Sequence, residues 1–209
     1  MKPILFNTEM VKAILEGRKT VTRRVAKGVI EFDKGHYNAL KRGEWSGAIP
    51  KTTLLKEYAP FKVNDVLYVR ETWHKYTKRV GQGEGCHLQE FYGYKASIAN
   101  SEDANEKWKP SIHMPKEAAR LFLRVTDVRV ERLQDMTNKD CHKEGINIAT
   151  DSVTDGETLK KHHDFSLERF ATLWDSTIKT DQLKLYGWEA NPFVWVIEFE
   201  VIDKPVEEG

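Results

Sequence analysis

The 209-residue sequence contains little cysteine and no long apolar run. Its two cysteines, Cys86 and Cys141, supply neither a disulfide framework nor the ligand spacing of a zinc site. No apolar stretch approaches the roughly 18 residues that a helix needs to cross a bilayer. The apolar stretch near the N-terminus is too short for a secretory signal. We therefore expect a protein of the reducing cytoplasm that does not enter a membrane.

The chain also lacks a strong excess of charge of either sign. Its 33 Lys and Arg residues face 32 Asp and Glu residues, so the net charge is +1. This balance excludes a histone-like binder, and it favours a monomer or a weak homodimer. Locally the balance is different, since the stretch from Gly17 to Ile30 has no acid and five basic residues, Arg18, Lys19, Arg23, Arg24 and Lys27. Such a cluster is typical of a phosphate-facing patch, and a solvated basic face is the alternative.

Local patterns predict an α+β fold with long strands and few helices. Asn7 or Thr8 can cap a first helix that ends near Gly17. The pair Thr137 and Asp140 forms a capping box that opens a short helix. Long β-forming stretches cover residues 119–133 and 193–199, and Ser166 is expected to cap a further helix. Scattered strands of this kind favour a β-barrel with peripheral helices over a doubly wound sheet.

The length fits one domain, residues 1–209, that carries long inserted loops. Three stretches rich in glycine, proline or polar residues are expected to be these insertions: 28–60, 77–110 and 147–165. A loop as long as 77–110 without clear periodicity is typical of a functional lid or a partly mobile loop.

Four segments in this order resemble the ASCH family, which belongs to the PUA-like β-barrels. The first is GRKTVTRR at residues 17–24, following a helix, and the second is VNDVLYVRETW at 63–73. The segments at 108–115 and 191–195 resemble the longer ASCH proteins of tailed phages and prophages. Two positions depart from the family: Asn64 stands where glycine is usual, and Arg23 stands where the small enzymes have an apolar residue. The resemblance implies a PUA-like barrel in the cytoplasm, which would be that of a bacterial host if the protein is phage-encoded.

Small ASCH proteins include amidohydrolases that remove the acetyl group from N(4)-acetylcytidine without a metal or other cofactor. The resemblance places their proposed catalytic set on Lys19, Thr22 and Glu144. In this scheme Lys19 is the base, Thr22 the nucleophile and Glu144 the acid. The implied partner is a modified nucleoside or RNA.

The chemistry of amide hydrolysis agrees with these residue types. A threonine hydroxyl needs a base within about 3 Å, and like-charge repulsion from neighbouring arginines would lower the pKa of Lys19. Glu144 would stand at the negative end of a helix dipole, a place that suits a proton donor. Side chains three residues apart in a regular strand point to opposite faces. We therefore predict irregular backbone between Lys19 and Thr22.

Five further side chains are candidates for substrate binding: Arg24, Arg70, Glu71, Trp73 and His113. Arg24 and Arg70 would hold a polar or anionic part of the ligand, and Trp73 could stack on a base. Each has a structural alternative, such as an ion pair between Glu71 and a base, a core position for Trp73, or a hydrogen-bonded structural histidine for His113.

Two other functions remain open at this stage. The same basic cleft could bind RNA without catalysis. A metal-dependent ribonuclease ranks lowest, because no carboxylate or histidine cluster has ligand-like spacing.

Overall fold

The structure, a computed structural model, describes residues 1–97, 107–146 and 156–206, and all of their side chains except those of Glu84 and residues 156–164. Its contacts divide the chain into two compact units. The first unit comprises Met1–Glu16, Val66–Arg124 and Val201–Gly209, and the second comprises Gly17–Asp65 and Val125–Glu200. The expectation of one domain stays a prediction.

The described residues form strands and short helices. The strands are β1 (Lys2–Leu5), β2 (Val21–Val25), β3 (Val29–Asp33), β4 (His36–Lys41), β5 (Glu44–Trp45), β6 (Ile49–Pro50), β7 (Val66–Arg70), β8 (Trp73–Val80), β9 (His87–Tyr94), β10 (Phe122–Arg132) and β11 (Phe193–Ile202). The α-helices are α1 (Thr8–Leu15), α2 (Lys51–Glu57), α3 (Asn138–Lys143), α4 (Gly156–Thr177) and α5 (Leu183–Tyr186). The 3₁₀ helices are Gly83–Gly85, Lys95–Ser97, Ser111–His113, Lys116–Ala118, Leu133–Asp135, Thr180–Gln182 and Trp188–Ala190. Among the described residues, no helix is both long enough and apolar enough to span a bilayer.

In the first unit, β7 is the central strand. It pairs with β1 in parallel and with the start of β10 in the antiparallel direction, and Leu67 stands opposite both Lys2 and Leu123. Strands β8 and β9 form a separate antiparallel hairpin. Aromatic and small side chains make the core of this unit: Trp73, Met114, Ala118, Ala119 and Phe122.

In the second unit, β11 pairs with β2 in the antiparallel direction, and Ile197 stands opposite Thr22. Strand β11 also has β10 as a neighbour, on the side opposite β2. The core combines strand residues with one face of α4: Val21, Leu133, Met136, Cys141, Phe170, Trp174, Val194 and Val196. Strands β3, β5 and β6 all pair with β4 in a smaller sheet.

The predicted starts of α1 and α3, which depend on capping side chains, are confirmed. The Asn7 side chain accepts a hydrogen bond from the Met10 amide at 2.8 Å, and Gly17 follows α1 with φ +72°. Thr137 and Asp140 form the expected capping box at the start of α3. Asn64 has φ +69°, a left-handed conformation that asparagine tolerates better than most residues.

Other expectations are corrected. The mixed α+β class is confirmed, but the sheets formed by the described residues are open, since no pairing order returns to its first strand. They therefore contain no closed barrel. The stretch 28–60 is not mainly loop, because β3 to β6 and α2 lie within it, and β9 lies within 77–110. Residues 147–155 are outside the described residues, and α4 begins at Gly156, so Ser166 lies inside this helix instead of capping it.

Candidate functional site

A buried lysine is the centre of the candidate site, in the second unit. Lys19 is 1% exposed and is among the largest fully buried side chains of the described residues. Its Nζ donates hydrogen bonds to the Val21 carbonyl at 2.8 Å, the Glu144 carbonyl at 3.0 Å and Glu144 Oε2 at 2.5 Å. An ammonium group has three N–H donors, and a buried charge is costly unless it is paired. The contacts therefore describe a buried ammonium–carboxylate pair.

The end of α3 presents Glu144 to this lysine. Glu144 is the C-cap residue, where carbonyl groups have no partner inside the helix. The neighbouring strand segment supplies donors: the Thr20 amide donates to the Lys143 carbonyl at 2.8 Å, and Arg18 Nη1 donates to the Gly145 carbonyl at 2.6 Å. Lys19 and Glu144 also form an isolated antiparallel bridge. Backbone pairing thus fixes the position of both charged residues.

Arg23 is a second cation on the same carboxylate. Its Nη1 donates to Glu144 Oε1 at 3.2 Å, while its Nη2 lies 3.7 Å from Glu131 Oε2 and 3.8 Å from Asp140 Oδ1. The Arg23 side chain is buried, and its Nε and Nη2 have no hydrogen-bond partner among the described residues. Glu144 therefore bridges two buried cations through its two oxygens.

Arg23 was not among the predicted site residues. Its spacing from Lys19 could have identified it, because side chains at positions 19, 21 and 23 of an extended segment share one face. Lys19 and Arg23 flank Val21 in this pattern, and Val21 is in the hydrophobic core. The basic run at residues 18–27 therefore supplies buried partners of Glu144 as well as surface charge.

The pKa of Lys19 is lowered, as predicted, but the main cause is different. Burial lowers it most, the Glu144 carboxylate opposes this effect, and Arg24 and Arg23 add a smaller lowering. Burial also lowers the pKa of Arg24, again against the attraction of Glu144. A lowered lysine pKa beside a carboxylate is a combination that proton-transfer sites use.

Thr22 lies in β2 and is buried. The regular strand begins at Val21, and Lys19 precedes it in an isolated bridge with Glu144. The expected irregular backbone between Lys19 and Thr22 stays a prediction. Strand alternation places Thr22 on the face opposite Arg23. Among the described contacts, no hydrogen bond joins the Thr22 hydroxyl to Lys19 or Glu144. The structure thus brings together two members of the predicted set, while the role of Thr22 stays a prediction.

The other predicted binding residues except Arg24 belong to the first unit. Glu71 is buried and accepts two hydrogen bonds from Arg120, each 2.9 Å long. Arg120 also lies over the Tyr94 ring, 4.1 Å from its centroid. Trp73 is part of the hydrophobic core, and Lys109 Nζ lies 4.9 Å from its ring centroid. These contacts match the structural alternatives for Glu71 and Trp73.

Arg70 and His113 are more accessible. Arg70 Nη2 donates to the Ile112 carbonyl, and its Nε is buried without a hydrogen-bond partner among the described residues. His113 ends the 3₁₀ helix Ser111–His113 and is exposed. Both side chains are held near one short segment, and their binding roles stay predictions.

Within the described ranges, no group of three or more His, Cys, Asp or Glu residues is arranged to hold a metal ion. The charged side chains that meet at the candidate site are Lys19, Arg23 and Glu144. Comparison of the chain with family models, curated proteins and solved structures gave no match.

Proposed function

We propose that this protein is a metal-independent amidohydrolase that removes an acyl group from a modified nucleoside similar to N(4)-acetylcytidine. The observation that carries the proposal is the buried pair between Lys19 Nζ and Glu144 Oε2, 2.5 Å apart. Burying such charges costs several kcal/mol per ion, and well-packed apolar residues often stabilise a fold equally well. A buried pair with a lowered lysine pKa thus favours a functional role over a purely structural one.

The pair can supply both an acid and a base by one proton shift. If the Lys19 ammonium transfers a proton to Glu144 Oε2, the products are a neutral amine and a neutral carboxylic acid. Burial favours this direction, because it lowers the pKa of Lys19. The amine then has a lone pair for a substrate or nucleophile proton, and the acid has a proton for the leaving group.

In the proposed reaction, Thr22 Oγ attacks the acyl carbon and its proton passes to the Lys19 amine. The bond from the acyl carbon to the nucleoside nitrogen breaks, and this nitrogen takes the proton of Glu144. Water then hydrolyses the Thr22 ester, releasing the carboxylic acid and restoring the hydroxyl. This scheme requires the Thr22 hydroxyl to reach Lys19 when substrate is bound, since catalytic contacts often tighten only in that complex.

The finer fold assignment is part of the same proposal. The resemblance of residues 17–24 and 63–73 to the ASCH family supports a PUA-like arrangement of the strands, and the observed α+β class is compatible with it. Arg24 is proposed to hold a polar group of the nucleoside. Cytoplasmic location is proposed as well.

The experiment is hydrolysis of N(4)-acetylcytidine by the purified protein, followed by the cytidine absorbance. We expect turnover by the wild type and a loss of about 10²-fold or more in Lys19→Met, Thr22→Val and Glu144→Gln, because each removes a proton-transfer or nucleophilic group. The matched control is Glu90→Gln, which removes the carboxylate of an exposed pair with Lys75 of similar length, 2.6 Å. Absence of turnover by the wild type would refute the proposal, and so would full activity in Lys19→Met.

A further inference from the structure

The small sheet of the second unit has one buried face and one exposed face. Val29 pairs with Ala39 across β3 and β4, and Tyr37 lies two residues before Ala39 on β4. These three side chains are buried. In an antiparallel sheet, opposite residues and residues two positions apart share a face. One face of this sheet is therefore packed against the rest of the unit.

The other face is apolar yet exposed. Trp45 pairs with Leu40, and Leu40 shares its face with Asn38, the partner of Ile30. Trp45 is 51% exposed, and Ile30 and Leu40 are exposed to a similar degree. Phe32, where the β3 register shifts, is 67% exposed. Contiguous exposed apolar side chains on one sheet mark an interaction surface.

Beside Trp45 lies an open cavity of about 360 Å³ with aromatic and cationic walls. Its lining residues are Lys41, Arg42, Glu44, Trp45, Ser46 and Tyr58. Lys41 is held in place, since its Nζ donates to the Glu57 carbonyl at 2.8 Å and lies 5.1 Å from the Tyr58 ring centroid. Arg42 is exposed in the turn between β4 and β5 and has φ +55°, a conformation that is uncommon for arginine. Two rings and two cations thus meet at one end of the apolar face.

Basic residues outnumber acidic residues at the cavity, where Lys41 and Arg42 stand against Glu44, and in the sequence around it. Residues 17–65 contain 11 Lys and Arg and 5 Asp and Glu, a net charge of 11 − 5 = +6, whereas the whole chain carries +1. Two of the eleven cations, Lys19 and Arg23, are buried against Glu144, which leaves a net of +4 for the others. A second copy docked at the cavity would bring Lys41 and Arg42 of both copies together, so self-association there is disfavoured.

We propose that this face binds single-stranded nucleic acid. Bases stack on Trp45 and Phe32, which needs no base-specific contact because every base has a flat π-face. The guanidinium of Arg42 contacts a phosphate oxygen. The surface is built from residues outside the Lys19 site, and the inference is independent of the reaction proposed there.

The test is fluorescence anisotropy with a labelled oligouridylate and an oligodeoxythymidylate of the same length, over a series of salt concentrations. We expect both strands to bind, more tightly at low salt. Trp45→Ala should weaken binding about 5- to 150-fold, the loss of one stacked base, while Trp45→Phe retains a ring and most of the affinity. Arg42→Gln should reduce the slope of log affinity against log salt by about 0.7, the value for one phosphate contact on a single strand.

The matched control is Phe165→Ala in α4. Phe165 is also an exposed aromatic residue with a cation nearby, since Arg169 lies 5.5 Å from its ring centroid. Its removal should leave oligonucleotide affinity unchanged. Three results would overturn the inference: no binding of either strand at low salt, an equal loss in Phe165→Ala, or self-association without oligonucleotide binding that Trp45→Ala abolishes. The last result would identify a second copy as the occupant.

Discussion

Replacing Glu144 with glutamine tests how the buried cations are stabilised. The change keeps the size and shape of the side chain but removes the negative charge between Lys19 and Arg23. Both cations then face a neutral amide in a buried place, although Arg23 keeps its longer contacts with Glu131 and Asp140. The Lys19 Nζ lies 2.5 Å from Glu144 Oε2. We therefore expect that most of the lost free energy of unfolding comes from Lys19 and not from Arg23.

The loss in the free energy of unfolding has an upper limit, because a buried lysine can lose its proton instead of remaining charged. Removing the proton of an ordinary lysine at pH 7 costs about 3.4 × 1.36, or roughly 4.6 kcal/mol. Breaking a buried pair by removing one partner costs about 3–5 kcal/mol, which agrees with that limit. The penalty of Glu144→Gln should therefore be about 3–4.6 kcal/mol at pH 7. It should fall by about 1.4 kcal/mol for each pH unit gained, once Lys19 is neutral in the folded variant.

Urea unfolding followed by tryptophan fluorescence, at several pH values, measures this penalty. Glu90→Gln, at the exposed pair with Lys75, is the control and should cause no measurable change. In the double variant Lys19→Met/Glu144→Gln, the pH dependence of the loss in the free energy of unfolding should disappear. A Glu144→Gln variant as stable as the wild type at pH 7, or a penalty that stays constant with pH, would refute the assignment of a buried charged pair.

Three further predictions concern pH, backbone and thiols. Because the pKa of Lys19 is below its ordinary 10.5 in the folded state, the unfolded chain binds more protons below that pH. The contribution of Lys19 to the free energy of unfolding should therefore rise with pH up to about 10.5, and urea midpoints of Lys19→Met should lack this rise. Gly28→Ala should lower the free energy of unfolding by about 1–3 kcal/mol, since Gly28 has φ +71° and the added methyl group would lie 2.7 Å from Leu40 Cβ; calorimetry measures this. Burial raises the pKa of the Cys141 thiol to about 11, so a thiol reagent at neutral pH should modify only the exposed Cys86 in the folded chain and both cysteines in urea.

Each of these has a contradicting outcome. Equal pH profiles for the wild type and Lys19→Met would show that Lys19 does not have a lowered pKa. Gly43→Ala is the control for Gly28→Ala, because Gly43 also has a positive φ but no neighbour within 4 Å of the added methyl. If both variants lose the same free energy of unfolding, the contact with Leu40 does not contribute to the loss in Gly28→Ala. Two fast-reacting thiols in the folded chain would contradict the burial of Cys141.

The parts of the fold predicted correctly from sequence depend on local chemistry. A capping side chain, such as Asn7 or Thr137, satisfies amides within three residues of itself, so its effect can be read without the rest of the chain. Strands β3 to β6 were missed because they are short and separated by glycine turns, and because apolar side chains on their exposed face obscure the alternation that marks a half-buried strand. The start of α4 was missed because residues 156–165 are mostly polar, although Leu159, Lys160 and Lys161 are good helix formers.

At the candidate site, too, the sequence does not predict contacts that only tertiary structure creates. The sequence resemblance selected Lys19 and Glu144, which lie 125 positions apart and form a hydrogen bond in the structure. Arg23 was read as surface charge, because its burial depends on Glu131, Asp140 and Glu144, which only tertiary structure brings to it. The position of a nucleophile relative to its base is likewise a tertiary property, and local spacing could not decide whether Thr22 contacts Lys19.

The short length of α3 has a consequence for the dynamics of the site. A helix of six residues is far below the length at which an isolated helix is stable in water. Its first turn is held by the capping box at Thr137, and its C-cap residue, Glu144, is held by Lys19. Opening either end removes the support of the other, so the helix and the ion pair should form one cooperative opening unit. In native-state hydrogen exchange, the amides of Cys141 and Glu144 should therefore exchange with the same opening free energy as the amide of Thr20, and a ligand that contacts Glu144 should slow all three.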